Sequence, residues 1–235
     1  MIRVFVYVEG YTEHFFVRDV LVPYLVSSLG EENRWRFDLI PIIAHTSREK
    51  SGRKFKGGIT SYKRQVKPQI RDLLTQNPQS WLTTMLDYYR LPKDFPGKAT
   101  LPAGTPYQRV THLEREFAND INSPRFFPFI VLHEFEALLL AQPSIIGLVF
   151  PQYRQETQKL IAEIGATPPE EINEGEETHP AARIQYHIPD YRKWRDGPRI
   201  AKQIGLNTIR TRCPHFNEWL RWLETLAQKA KQGDP

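Results

Sequence analysis

Five carboxylates in this 235-residue sequence follow apolar segments closely enough to act together. Glu9, Asp87 and the pair Glu134 and Glu136 each come soon after a run of apolar residues, and Glu13 lies one helical turn beyond Glu9. Carboxylates gathered in one place repel each other and are costly to bury unless a cation neutralises them. Their oxygen atoms suit Mg²⁺ or Mn²⁺, either of which can polarise a phosphoryl oxygen and activate water. The set therefore predicts a metal site.

A structural interpretation of the same residues remains open. Glu9 and Asp87 are residue types that commonly end strands or cap turns, and Glu13 and Glu134 suit the first turn of a helix because of the helix dipole. Spacing alone does not separate this interpretation from the metal site.

Apolar segments that alternate with helical patterns indicate how the carboxylates are positioned. Strands are predicted at residues 2–8, 37–43, 81–86 and 126–132. Helices are predicted from Thr12, as its cap, to before Gly30, over residues 62–74, and from Pro106 onward. The alternation indicates an α/β fold with a mainly parallel sheet flanked by helices. In such sheets, ligands bind at the carboxyl ends of the strands.

The second part of the chain lacks strand patterns. From about Gln142 onward it is helical and loop-like, with candidate helices at residues 156–164, 198–204 and 216–230. We therefore expect an α/β core over residues 1–141 and a C-terminal helical extension over residues 142–235 that packs on this core.

Basic residues are unevenly distributed and indicate a polyanionic partner. The net charge is +5, yet residues 47–71 alone contain nine basic residues and one acidic residue. The candidate phosphate-binding residues in this segment are Arg53, Lys54, Lys56, Lys63 and Arg64. A second basic region, residues 183–212, interleaves arginine and lysine with Tyr186, Tyr191 and Trp194. Cationic side chains of this kind bind nucleic-acid phosphates, although a solvated surface explains them equally well.

Composition excludes several classes of protein. The scattered glycines and prolines form no collagen-like or low-complexity tract. No apolar stretch approaches the roughly 20 residues of a membrane helix, and no leader pattern is evident, so a soluble cytoplasmic protein is expected. Cys213 is the single cysteine, which excludes an internal disulfide and leaves carboxylates or histidines as metal ligands.

Several sequence motifs together resemble a known family. The run VEGYTE at residues 8–13 resembles the opening of TOPRIM domains, which occur in topoisomerases, primases and the overcoming-lysogenization-defect nucleases. Further matching segments are residues 57–58 with Tyr62, 85–89, 91–96, 132–139, 180–184, 200–201 and 212–219. With these, nearly the whole chain resembles domain-of-unknown-function family 4276 (DUF4276), a TOPRIM-like family.

The resemblance assigns roles to the acidic residues. It implies that Glu9 is the catalytic glutamate, as metal ligand or general acid/base, and that Asp87 is the first acid of an Asp-X-Asp metal motif. Tyr89 stands where that motif has its second aspartate. Glu134 or Glu136 resembles the extra acidic positions of the nuclease branch and could complete the ligand set, and Asp94 is a weaker substitute.

The resemblance implies a metal-dependent nuclease that hydrolyses phosphodiester bonds in DNA or RNA. Related systems pair such an effector with an ABC/SMC-like ATPase, so an ATPase partner and an antiphage role are expectations of the same kind. A homo-oligomer is a further possibility that the resemblance does not decide. The sequence itself has no phosphate-binding Gly-x-x-x-x-Gly-Lys-Ser/Thr loop. The alternatives are a catalytically inactive scaffold that binds nucleic acid or docks on the ATPase, and a primase-like enzyme that uses nucleoside triphosphates.

Overall fold

A computed structural model describes residues 1–45, 58–172, 175 and 177–233. Three of the predicted phosphate-binding residues, Arg53, Lys54 and Lys56, lie outside the described residues, whereas Lys63 and Arg64 lie within them. In the described part of the chain, no helix combines the length and the apolar character needed to cross a membrane.

The centre of the fold is a five-stranded parallel sheet. Its strands are β1 (Ile2–Val8), β2 (Phe37–Ile43), β3 (Trp81–Asp87), β4 (Phe126–Phe127) and β5 (Ile130–Val131). They run in the order β2-β1-β3-β4, and β5 also pairs with β3. The predicted α/β fold with a mainly parallel sheet is therefore confirmed. Pro41 is tolerated because β2 lies at the sheet edge, where a strand can spare an N–H donor.

The predicted strand at residues 126–132 is divided into two short strands. Pro128 stands between β4 and β5 and has no N–H to donate to the ladder. The Thr84 hydroxyl replaces the missing backbone pairing, because it accepts a hydrogen bond from the Phe129 N–H at 3.0 Å and donates one to the Phe129 carbonyl at 2.8 Å. The prediction of a single continuous strand was wrong for this reason.

Helices flank the sheet on both faces. The α-helices are α1 (Tyr11–Phe16), α2 (Val22–Ser27), α3 (Lys67–Gln76), α4 (Pro106–Ile121), α5 (Glu136–Leu139), α6 (Ser144–Val149), α7 (Arg154–Ile164), α8 (Pro180–His187), α9 (Lys193–Ile204), α10 (Leu206–Arg212) and α11 (Pro214–Gln232). Turns of π-helix at Val17–Leu21 and Tyr62–Val66 join α1 to α2 and precede α3. Short 3₁₀ segments lie at Glu31–Arg36, Tyr88–Arg90, Lys98–Thr100, Pro151–Tyr153 and Pro169–Glu171.

The first helix begins earlier than predicted. Its N-cap is Gly10 rather than Thr12, which lies within the first turn. The Glu13 carboxylate accepts a hydrogen bond from the Gly10 N–H at 3.0 Å and so satisfies a donor that the helix end leaves free. Glu13 is therefore a structural part of the turn that also presents Glu9.

Two buried clusters lie on opposite faces of the sheet, as the alternation along β1 requires. Val4, Val6 and Val8 belong to one cluster, whereas Phe5 and Tyr7 belong to the other. The first cluster also contains apolar residues of α9, α10 and α11, so helices from beyond residue 141 pack directly on the sheet. The division of the chain at residue 141 stays a prediction.

Candidate functional site

The predicted acidic residues meet at the carboxyl edge of the sheet. Glu9 follows the last residue of β1, Asp87 ends β3, Glu134 follows β5, and Glu136 begins α5. Because β1, β3 and β5 are successive neighbours in a parallel sheet, their carboxyl ends lie side by side. Glu13 on α1 lies close enough to exert an electrostatic effect on Asp87.

Asp87 and Glu13 are held by backbone N–H groups. Asp87 is 8% exposed and accepts a hydrogen bond from the Phe135 N–H at 3.0 Å through Oδ1. Glu13 is 6% exposed and accepts its hydrogen bond from the Gly10 N–H through Oε2. These contacts fix the orientation of both carboxylates at the sheet edge.

Gly58, which lies in the basic segment at residues 47–71, packs closely against the Glu9 carboxylate. A Cβ atom at Gly58 would collide with Oε1 of Glu9, so any side chain at this position would displace the carboxylate. The positive charge of Arg90, in the 3₁₀ segment after β3, acts on the same carboxylate. Glu9 therefore lies between a closely packed backbone and a nearby cation.

Lys193, the first residue of α9, neutralises the other two carboxylates. Its ammonium nitrogen lies 2.8 Å from Oε2 of Glu134 and 3.0 Å from Oε2 of Glu136, both of which are almost wholly buried. Tyr191 donates its hydroxyl proton to Oε1 of Glu136 at 3.0 Å. Lys193 was recognisable in the sequence only as one member of a basic region, since nothing in its spacing linked it to acids about sixty residues earlier.

His179 and the start of α8 complete the surroundings of Glu134. Oε1 of Glu134 lies 2.6 Å from Nδ1 of His179 and accepts a hydrogen bond from the Ala181 N–H at 2.6 Å. The Tyr89 ring stacks on the His179 imidazole, with ring centroids 5.2 Å apart. Tyr89, which occupies the position of the second aspartate in the motif, thus supports a histidine that contacts an acid. Sequence reasoning missed His179.

Burial and mutual repulsion raise the pKa of most carboxylates in the cluster. Burial is the main cause for Glu9, Asp87 and Glu136, and the charge of Glu13 raises the pKa of Asp87 further. Burial, together with the charges of Glu9 and Glu136, raises the pKa of Glu13 to about 7 despite its backbone hydrogen bonds. These four groups therefore favour the protonated form more than exposed acids do.

The pKa shifts of Glu134 and Lys193 favour the charged form of each residue, because the two side chains are paired. Burial alone would raise the pKa of Glu134, but the Lys193 ammonium, the Ala181 N–H and His179 together hold it below its ordinary value. Burial alone would lower the pKa of Lys193, yet Glu136 and Glu134 hold it above its usual range. This pair stays charged at neutral pH.

The chemistry of the cluster suits a hard divalent cation. All five acids offer oxygen ligands, and the nearby cations, Lys193 and Arg90, are fewer than the acids. Within the part of the chain that the structure describes, no three Asp, Glu, His or Cys side chains are arranged to hold a metal ion as they stand. Binding of a cation would therefore have to draw the carboxylates of Glu9 and Asp87 together.

Other predicted residues lie in structural roles or apart from the cluster. Asp94 accepts hydrogen bonds from the Tyr62 N–H, the Lys63 N–H and the Ser61 hydroxyl at 2.8–3.1 Å, so its oxygens hold the turn before α3. Lys63 and Arg64 are exposed and line a cavity of about 450 Å³ beside that turn. Their role as phosphate ligands stays a prediction.

Comparison with known proteins gives a match to one family. The model of the family described as Domain of unknown function (DUF4276) matches residues 8–224, a span that contains every acidic residue of the cluster together with Lys193. Neither the curated proteins nor the solved structures include a match to this chain.

Proposed function

The chain belongs to the DUF4276 family, and we propose that this member is a divalent-metal-dependent phosphodiesterase of TOPRIM-like architecture that cleaves DNA or RNA. The observation that supports the proposal is the meeting of Glu9, Glu13 and Asp87 at the carboxyl edge of a parallel sheet. These acids come from two neighbouring strands and the first helix, at the edge where α/β sheets bind ligands.

Glu9 and Asp87 would hold Mg²⁺ or Mn²⁺ in this proposal, with Glu13 beside them. When bound, such an ion stabilises negative charge on a phosphoryl oxygen and lowers the pKa of water. Asp87 is oriented for this role by the Phe135 N–H. Glu13, whose pKa is about 7, can hold or release a proton near neutral pH and is suited to general acid/base work.

Glu134 and Glu136 have a supporting role in this account. Their oxygens already contact Lys193, His179, the Ala181 N–H and Tyr191. They could act as metal ligands, as the resemblance implies, only if Lys193 gave up its contacts. Lys193 instead pairs with Glu134 and Glu136 and leaves Glu9 and Asp87 as the candidate ligands.

The cellular setting is proposed from the resemblance alone. By that resemblance the protein is the effector of an ATPase-controlled antiphage system, with an ABC/SMC-like ATPase as partner. The cleavage experiment below uses both DNA and RNA and so identifies which of the two is the substrate.

The second candidate is a catalytically inactive scaffold that binds nucleic acid or docks on the ATPase. Lys193 favours it, because an internal ammonium already occupies an oxygen of two of the five acids, Glu134 and Glu136. Tyr89 in place of an aspartate and the lack of a ready-made metal cage among the described residues point the same way.

Cleavage of labelled DNA and RNA in Mg²⁺ or Mn²⁺, with and without an added ABC/SMC-like ATPase of the kind that the resemblance implies, distinguishes the two candidates. We expect Glu9→Gln and Asp87→Asn each to reduce the cleavage rate by about 10²-fold or more, with folding and nucleic-acid binding preserved. Glu218→Gln, an exposed acid on α11, is the matched control and keeps full activity. Binding without cleavage under every metal and partner condition would favour the scaffold.

A further inference from the structure

A basic and aromatic cavity lies between α1 and α9, outside the carboxylate cluster. Its volume is about 490 Å³, within the range of small-molecule and nucleotide sites. The lining residues that could contact a ligand through charge or ring stacking are Phe15, Arg18, Trp194, Arg195, Arg199 and Lys202. We call this set the α9 surface.

The positive charge of the α9 surface is only partly compensated. Arg195, Arg199 and Lys202 follow each other at four- and three-residue spacing, so they share one face of α9. Arg195 is paired with Asp196 at 2.8 Å, and Arg18 is paired at 2.6 Å with Asp19, an acid that also lines the cavity. Arg199 and Lys202 form no salt bridge with any other residue that the structure describes, although the charge of Lys202 acts on Asp19. Two unpaired cations on one helix face are suited to neighbouring phosphates of a single chain.

Exposed aromatic rings accompany these charges. Trp194 is 57% exposed and Tyr11, at the start of α1, is 65% exposed. The Tyr11 ring lies 6.0 Å from that of Phe15, and the Arg18 guanidinium lies 4.7 Å from the centre of the Phe15 ring. Aromatic side chains among cations are the arrangement on which unpaired bases stack, because every base has a π face.

The α9 surface is continuous with the acidic cluster through the helix itself. Lys193 contacts Glu134 and Glu136, and Trp194 is the next residue. At 1.5 Å per residue, Lys202 lies about 14 Å along the helix axis from Lys193. The α9 surface and the acidic cluster therefore adjoin at the N-terminal end of α9.

We propose that the α9 surface binds single-stranded nucleic acid, with bases stacked on Trp194 and phosphates on Arg199 and Lys202. Single strands are favoured over duplex because a paired base cannot present its face to Trp194. The further role of this surface, delivery of the strand to the acidic edge, rests on the proposed function.

Fluorescence anisotropy with labelled single-stranded 20-mers of DNA and RNA, in EDTA so that no cleavage occurs, tests the assignment. We expect Trp194→Ala to weaken binding by about 5- to 150-fold, the range for loss of one stacked base. The double variant Arg199→Ala/Lys202→Ala should lower the slope of log affinity against log salt by about 1.4, which is about 0.7 per phosphate contact. The matched controls are Trp35→Ala and Arg221→Ala/Lys229→Ala, which remove an exposed tryptophan and two exposed cations elsewhere and should leave binding unchanged.

Four results would overturn the assignment. The first is that the wild type does not bind the single strands, and the second is that the wild type and the α9-surface variants bind them with equal affinity. The third is that Trp194→Ala weakens binding of duplex as much as binding of single strands. The fourth is that the protein binds a labelled poly-glutamate peptide and that this binding depends on Trp194. The last would identify an acidic protein segment as the occupant.

The same samples in Mg²⁺ or Mn²⁺ separate this assignment from the proposed function. Cleavage without Trp194-dependent binding would overturn the assignment and leave the phosphodiesterase standing. Trp194-dependent binding without cleavage would confirm the α9 surface and contradict the phosphodiesterase.

Discussion

At the scale of single residues, Lys193 decides the charge balance of the acidic edge. We expect Lys193→Met to lower the free energy of unfolding by about 3 kcal/mol, because it leaves two buried carboxylates without their cation. Urea denaturation at pH 7 measures the change. Lys202→Met, on the exposed face of the same helix, is the control and should change stability by less than about 0.5 kcal/mol. Equal stability of the two variants would contradict the role of Lys193.

Glu13 contributes to a pH-dependent stability of the protein. Its pKa is about 7 in the folded state, above the ordinary value of 4.5, so between these pH values the folded state binds more protons than the unfolded state. The free energy of unfolding therefore falls as pH rises from about 4.5 to 7, at up to about 1.4 kcal/mol per pH unit for one proton. We expect Glu13→Gln to flatten this decrease in urea titrations, whereas Glu218→Gln retains it. A parallel decrease in all three proteins would exclude Glu13 as its source.

The sequence predicts some residues of this site and not others. Glu9 and Asp87 were predictable because each ends a recognisable apolar strand, and the parallel sheet then brings them to one edge. His179, Tyr191 and Lys193 come from helices and loops 92 to 106 residues after Asp87, taken as differences of residue numbers. Local spacing contains no information about which face of the sheet such segments pack on.

At the scale of elements, the turn before α3 depends on a carboxylate from the loop after β3. Asp94→Ala removes three hydrogen bonds to the first residues of that turn and should destabilise the protein by about 1–2 kcal/mol, as for loss of a helix cap. Thermal or urea unfolding measures the loss, and Asp72→Ala on the exposed face of α3 is the control. Asp94→Ala should leave Mn²⁺ affinity unchanged, and a loss of affinity would show that Asp94 is a ligand.

Close packing of α9 against Phe135 and Tyr191 requires a small residue at position 197. A Cβ atom at Gly197 would lie 2.9 Å from Cε1 of Phe135 and 3.1 Å from the Tyr191 hydroxyl. We expect Gly197→Ala to destabilise by about 1 kcal/mol net, because an overpacking cost of about 1–3 kcal/mol exceeds the gain in helix propensity of about 1 kcal/mol. Urea unfolding should show a larger loss for Gly197→Val and little for Gln203→Ala on the exposed face. A stabilised Gly197→Ala would contradict the close packing.

The elements themselves were largely predictable. The β-branched and aromatic runs at β1, β2 and β3 coincide with the observed strands, and Pro106 does begin α4. The break at Pro128 was missed because the Thr84 hydroxyl, a partner from another strand, replaces the lost ladder contact. The helix start at Gly10 was missed because the capping group belongs to Glu13 rather than to Thr12.

At the scale of the whole molecule, the C-terminal helices are part of the site as well as of the core. Trp219 of α11 stacks on Phe129 with ring centroids 4.4 Å apart and donates a hydrogen bond to the Thr83 hydroxyl at 2.9 Å. These contacts support the sheet, while α9 supplies Lys193 to its carboxyl edge. The acidic edge therefore depends on both the first and the last third of the chain, which sequence patterns alone did not reveal.

The most direct test of the acidic edge as a metal-dependent centre is calorimetric titration of Mn²⁺ into the wild type, Glu9→Gln, Asp87→Asn and the control Glu218→Gln. We expect the wild type and Glu218→Gln to bind Mn²⁺ with equal affinity. Glu9→Gln and Asp87→Asn should each bind more than about tenfold more weakly, since loss of even an outer-shell partner costs about 10- to 100-fold. Failure of the wild type to bind Mn²⁺, or equal affinity in all four proteins, would contradict a metal-dependent centre at this edge.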